Sequence, residues 1–150
     1  MQPARFWDER DSGQVVCRLC PHGCRLAPGQ PGLCGVRRNQ DSRLVSLNYG
    51  RLVASAVDPI EKKPLFHYLP GARAYSIAAV GCNLSCQFCQ NADISQYPRL
   101  TGQIAGKYCG PEELVRQAQA SGSRAIAYTY TEPTIFMEYV LDVARLAREQ

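Results

Sequence analysis

Eight of the 150 residues are cysteine, and they are clustered. Cys82, Cys86 and Cys89 stand as C-x-x-x-C-x-x-C, while Cys17, Cys20 and Cys24 form a second group that Cys34 completes. Soft thiolates select zinc or iron–sulfur centres over hard cations. A [4Fe–4S] cluster ordinarily takes four cysteines, so three leave one iron without a protein ligand. An open metal position is what makes a site catalytic instead of structural. Zinc at this loop would need a fourth ligand, and no histidine lies within it. The first group offers four soft ligands, enough for a closed structural site. Zinc fits its paired spacing, and a second [4Fe–4S] cluster fits four thiolates equally well. His22 lies between those ligands and could replace one; a loop histidine is the simpler reading. Cys109 reads as a free thiol, buried or partly exposed.

Composition narrows the class. Hydrophobic residues make up 45% and charged residues 20%, the balance of a globular chain. Seventeen Lys and Arg against thirteen Asp and Glu give +4, and the positives are scattered, which argues against a nucleic-acid partner. The chain is long enough to bury a core without disulfide staples. The segment from Met1 to Asp11 is charged and lacks the apolar stretch of a secretory signal. No run approaches the ~20 apolar residues that span a bilayer. The expectation is a cytoplasmic chain with reduced thiols and no membrane partner.

The elements that must position the cysteines follow. Residues 1–57 are rich in turn formers around Pro21, Gly23, Pro28-Gly29 and Pro31-Gly32, with short strands at Val15-Val16 and Leu44–Leu47. They read as a small loop-rich module held by its cysteines, not by a core. Pro59, Pro64 and Pro70 exclude a regular helix from residues 58–74, an extended connector. From residue 75 the pattern changes. Residues 75–80 suit a buried strand closed by Gly81. Pro111, Glu112 and Glu113 open a helix with an apolar face of Leu114, Val115 and Ala118. Residues 125–130 read as a second strand. Ile135, Phe136, Tyr139, Val140, Val143 and Leu146 recur at helical spacing after Glu132-Pro133. This is the start of an α/β series with parallel strands. Parallel sheets are buried on both faces, and the second helix reaches Gln150 without a stop signal. The chain is therefore expected to be the N-terminal part of a longer protein. The three-cysteine loop falls at the C-terminal end of the first strand, where β/α folds bind ligands.

With Phe88 before the third cysteine, the Cys82–Cys86–Cys89 loop resembles the radical S-adenosylmethionine superfamily. Gly81-Cys82-Asn83 and Cys89-Gln90-Asn91 resemble the branch related to pyruvate formate-lyase activating enzyme. Cys17-Arg18-Leu19-Cys20-Pro21, Glu61-Lys62-Lys63-Pro64-Leu65 and Tyr128-Thr129-Tyr130-Thr131-Glu132-Pro133 are similar to the radical enzymes of the AmmeMemoRadiSam system. The resemblance covers residues 15 to 150. It implies the first two units of a partial (β/α)6 barrel, truncated here, so that residues 75–150 are the N-terminal part of the core. It implies a [4Fe–4S] cluster on Cys82, Cys86 and Cys89 whose open iron takes S-adenosylmethionine. One electron, from reduced flavodoxin or ferredoxin, then gives methionine and a 5′-deoxyadenosyl radical that takes hydrogen from a substrate. Phe88 is implied beside the adenosyl group, Asn91 near the cluster or cofactor, and Glu132 on the cofactor's ammonium. The family often carries Gly-Gly-Glu-Pro where this chain has Tyr130-Thr131-Glu132-Pro133, which leaves the close backbone approach of the glycines unaccounted for. Solvated charge is the simpler reading of Lys62 and Lys63; with His67 they could instead face the site. The implied activity for the 150 residues alone is weak cluster binding and little turnover. Two other classes stay open: an iron–sulfur electron carrier, which a three-cysteine loop disfavours, and a zinc-stabilised interaction module.

Overall fold

The computed structural model describes Met1–Glu149; Gln150, into which the second helix is expected to run, lies outside the described residues. Short strands alternate with tight turns in the first third: β1 (Gln2–Pro3), β2 (Trp7–Glu9), β3 (Val15–Cys17), β4 (Arg25–Leu26), β5 (Arg37–Gln40) and β6 (Arg43–Ser46). They form two antiparallel sheets, ordered β1-β6-β5 and β2-β3-β4. Asp41 and Ser42 both take positive φ, 51° and 65°, the geometry of a two-residue hairpin that matches strand twist. The sequence assigns this region no core of its own; the structure gives it a small one. Ala4, Val15, Cys17, Leu26 and Leu44 are buried together, with Trp7 and Leu19 against them. The period-two alternation of β6 turns Leu44 and Ser46 inward.

The remaining elements are β7 (Arg51–Leu52), β8 (Ala54–Pro59), β9 (Arg73–Ala78), α1 (Ala92–Ser95), α2 (Tyr97–Thr101), β10 (Lys107–Tyr108), α3 (Pro111–Ala120), β11 (Ala125–Tyr128) and α4 (Met137–Arg148). β9 and β11 pair in parallel, from Ala74 opposite Ala125 to Ile77 opposite Tyr128. β8 adds an antiparallel strand on the other side of β9, so the order is β11-β9-β8. Residues 54–59, which the sequence divides between module and connector, are thus part of this sheet. Pro59 is tolerated because it closes the strand. A single 3-10 turn, Ile60–Lys62, follows.

α3 begins as the sequence chemistry requires, with Pro111 at its first position after an extended Gly110 and two glutamates in its first turn. Leu114, Val115, Ile77, Val80, Ile135, Phe136, Tyr139 and Val143 form the main core. Full burial of such a side chain contributes about 1.5–3 kcal/mol. Phe136 stacks on Tyr139 at 4.7 Å between ring centroids, and Tyr49 meets the same ring edge-on at 5.3 Å.

The two halves share this core, because Cys34 and Val36 belong to it. Gly81 takes φ +97°, and a Cβ there would sit 2.5 Å from Val36 Cγ1 and 3.0 Å from the Cys34 carbonyl oxygen. Only glycine admits that approach. A buried ion pair adds a second tie. Arg37 donates to Glu138 Oε2 at 2.8 Å and Oε1 at 2.9 Å, and the Arg5 amide donates to Oε1 at 2.7 Å. Among the described residues no helix is long and apolar enough to cross a membrane.

Candidate functional site

Beyond β9 the chain passes through Gly81 into an irregular loop that ends at α1. Cys82 is buried, Cys89 half-buried and Cys86 exposed. All three line one cavity of about 190 Å³, together with Leu84, Ser95, Tyr130, Thr131 and Glu132. The first-strand loop and the end of β11 therefore meet at one place. Arg99 braces the loop from α2: its guanidinium donates to the Cys82 carbonyl at 2.7 Å, and to the Leu33 carbonyl and the Ser85 hydroxyl. The Leu84 amide points at Cys82 Sγ at 3.4 Å, and Cys89 Sγ lies 3.4 Å from Ser95 Oγ.

Glu132 holds two positions at once. It lines the cavity, and its Oε1 accepts from the Thr134 amide at 3.2 Å and the Thr134 hydroxyl at 2.6 Å, capping the 3-10 turn Pro133–Phe136. Asn91 donates to the Tyr130 carbonyl at 3.0 Å, so it braces the turn after β11. Phe88 is 87% exposed and is not among the residues that line the cavity.

Tyr130 stands where the resembled family often has a glycine, and it adopts a glycine-like φ of 66°. Its hydroxyl donates to Asp58 Oδ2 at 3.0 Å, and Lys63 Nζ lies 5.0 Å from its ring centre. Thr131 donates to the Ala79 carbonyl at 2.9 Å, tying this turn to the end of β9. Asp58 is buried and paired with Lys62 at 2.9 Å and Lys63 at 2.7 Å. Those hydrogen bonds, Lys62 first and then Lys63, hold its carboxyl well below the usual carboxylate range. The reading of both lysines as solvated needs correction at Lys63, whose side chain is only 11% exposed against 60% for Lys62. Pairing with a buried carboxylate favours enclosing its ammonium. His67 is exposed. Asp58 carried no sequence signal, since an aspartate before proline reads as a turn residue.

The first cysteine group is enclosed. Cys17, Cys20, Cys24 and Cys34 line one small cavity of about 10 Å³, with Leu33, Ile135, Arg37, Asn83 and His22. Burial pushes the Cys17 and Cys34 thiols up; the Leu19 amide opposes this at Cys17, and the Val36 and Arg37 amides oppose it at Cys34. Among the described residues no three His, Cys, Asp or Glu side chains are drawn together as ligands of one ion. His22 Nε2 lies 2.7 Å from the Asn83 carbonyl oxygen. A carbonyl cannot donate, so His22 carries a proton on Nε2 in that contact, and this nitrogen is not a metal ligand there. Cys109 is half-buried, its Sγ 3.7 Å from the Gly110 carbonyl.

No family model matches the chain, and no solved structure matches it. The chain is 41% identical over 149 residues to an uncharacterized protein of Methanocaldococcus jannaschii, a match that takes in 99% of this chain and 44% of that protein. The chain thus spans less than half the length of this curated relative.

Proposed function

We propose that this chain carries the cofactor-binding start of a radical S-adenosylmethionine enzyme, with Cys82, Cys86 and Cys89 as the thiolates of a [4Fe–4S] cluster. The observation that carries this reading is the shared cavity of about 190 Å³, which Cys82, Cys86 and Cys89 line together with Tyr130, Thr131 and Glu132 beyond the C-terminal ends of two parallel strands. The donor set fits: soft ligands, one short of the usual four, around a space far larger than one ion needs. When bound, such a cluster supplies one electron to the sulfonium of S-adenosylmethionine.

The chain's own residues do the positioning. Buried Cys82 would supply one thiolate to the cluster, and the Leu84 amide orients its sulfur. Cys86 and Cys89 hold the open side of the loop. Glu132 supplies a carboxylate at the cavity wall, suited to the cofactor's ammonium, and Thr134 fixes its direction. Cytoplasmic residence and electron supply by reduced flavodoxin or ferredoxin belong to the same reading.

The test is anaerobic loading with iron and sulfide, reduction, and electron paramagnetic resonance with and without S-adenosylmethionine. The expected result is a cluster signal that shifts when the cofactor is added. A signal indifferent to the cofactor, or a cluster retained after Cys86→Ala, overturns the assignment.

A further inference from the structure

We infer that Cys17, Cys20, Cys24 and Cys34 enclose a single zinc ion, and not a second iron–sulfur cluster. Four cysteines, three within residues 17–24 and the fourth at Cys34, line one cavity. That cavity measures about 10 Å³, about the space of one water-sized sphere. A [4Fe–4S] core has eight heavy atoms and does not enter it without displacing its walls. Those walls are buried, with Cys17, Cys34, Arg37 and Ile135 all at most 7% exposed, and one ion asks for a smaller shift of them than a cluster does. Gly32 forms another wall, where a Cβ would lie 3.8 Å from Cys24 Sγ and 3.9 Å from Cys34 Sγ. The two sulfurs flank the same point.

A further observation suits a charged occupant. Arg37, 2% exposed, lines the cavity with its guanidinium beside Cys17. A zinc tetrathiolate carries two net negative charges, and an N–H donor beside it offsets part of that charge. The thiols stand around the space and are not closed upon it; binding draws them inward and releases their protons. This inference is independent of the radical-enzyme reading, which rests on other cysteines.

The experiment uses the 150-residue chain with Cys82, Cys86 and Cys89 all replaced by alanine, offered zinc alone, cobalt(II) alone, or iron with sulfide. The expected result is one zinc per chain in a shell of four sulfurs at about 2.3 Å by X-ray absorption. Cobalt should give the intense visible bands of a tetrahedral thiolate site. Cys20→Ala, at one of the less buried ligands, should weaken zinc by more than about 100-fold, beyond what outer-shell changes cost. Cys20→His should restore most of the affinity, which separates loss of a ligand from loss of the fold. A brown cluster formed from iron and sulfide in the triple variant overturns the inference. So does the absence of bound zinc, or zinc affinity unchanged by Cys20→Ala.

Discussion

The two cysteine regions of this chain use the same side chain in opposite ways. Around Cys17, Cys20, Cys24 and Cys34 the cavity is about 10 Å³, walled by buried side chains and braced by strands. Around Cys82, Cys86 and Cys89 it is about 190 Å³, on an irregular loop with Cys86 exposed. The first arrangement suits an ion that holds a shape; the second suits a centre that must admit another molecule. Ligand count alone, four against three, points the same way. The regions are adjacent but not equivalent: Gly81 touches Cys34, and His22 meets Asn83.

The largest expected effect separates the two outright. Cys86→Ala should abolish iron–sulfur absorbance and the resonance signal while zinc content stays at one per chain; loss of both metals together would break the distinction. Glu138→Gln comes next. It leaves Arg37 buried without its carboxylate, which should cost about 3–5 kcal/mol in urea unfolding, because that pair ties the first region to α4. Gly81→Ala should cost about 2–3 kcal/mol, from positive-φ strain and the collision with Val36. Unlike Cys86→Ala it should weaken both metals at once, since it lies between the sites; a change in only one would show that the contact is not shared. Asp58→Asn gives the smallest effect. A carboxyl depressed in the folded state contributes stability that is present above its unfolded value, near 3.9, and lost as pH falls below it. The stability gap between wild type and variant should be about 1.5 kcal/mol near neutrality and shrink steadily below about pH 4. A gap that does not change with pH would remove Asp58's charge from the account.

What was readable in the sequence follows the same division. The parallel pair β9–β11 and helices α3 and α4 announced themselves through apolar periodicity and a proline start, because a buried face imposes its period on the residues. β8 did not: Ala54-Ser55-Ala56 has little side chain to pattern, and only pairing with β9 reveals it. The short helices α1 and α2 were also silent, as helices of four or five residues draw their stability from tertiary contacts. For the candidate site, cysteine spacing pointed to both groups, and the cavities gather the same residues. Arg37, Glu138, Asp58 and Arg99 escaped notice. A charge far from its partner in sequence, 101 residues for Arg37 and Glu138, reads as surface until the fold brings the two together.

Tyr130 holds a backbone angle that costs a non-glycine residue about 1 kcal/mol or more, offset by bonds from its hydroxyl to Asp58 and from Asn91 to its carbonyl. The turn that presents Thr131 and Glu132 is therefore set before any ligand arrives. A molecule docking there loses little freedom to loop ordering, and its affinity is correspondingly preorganised.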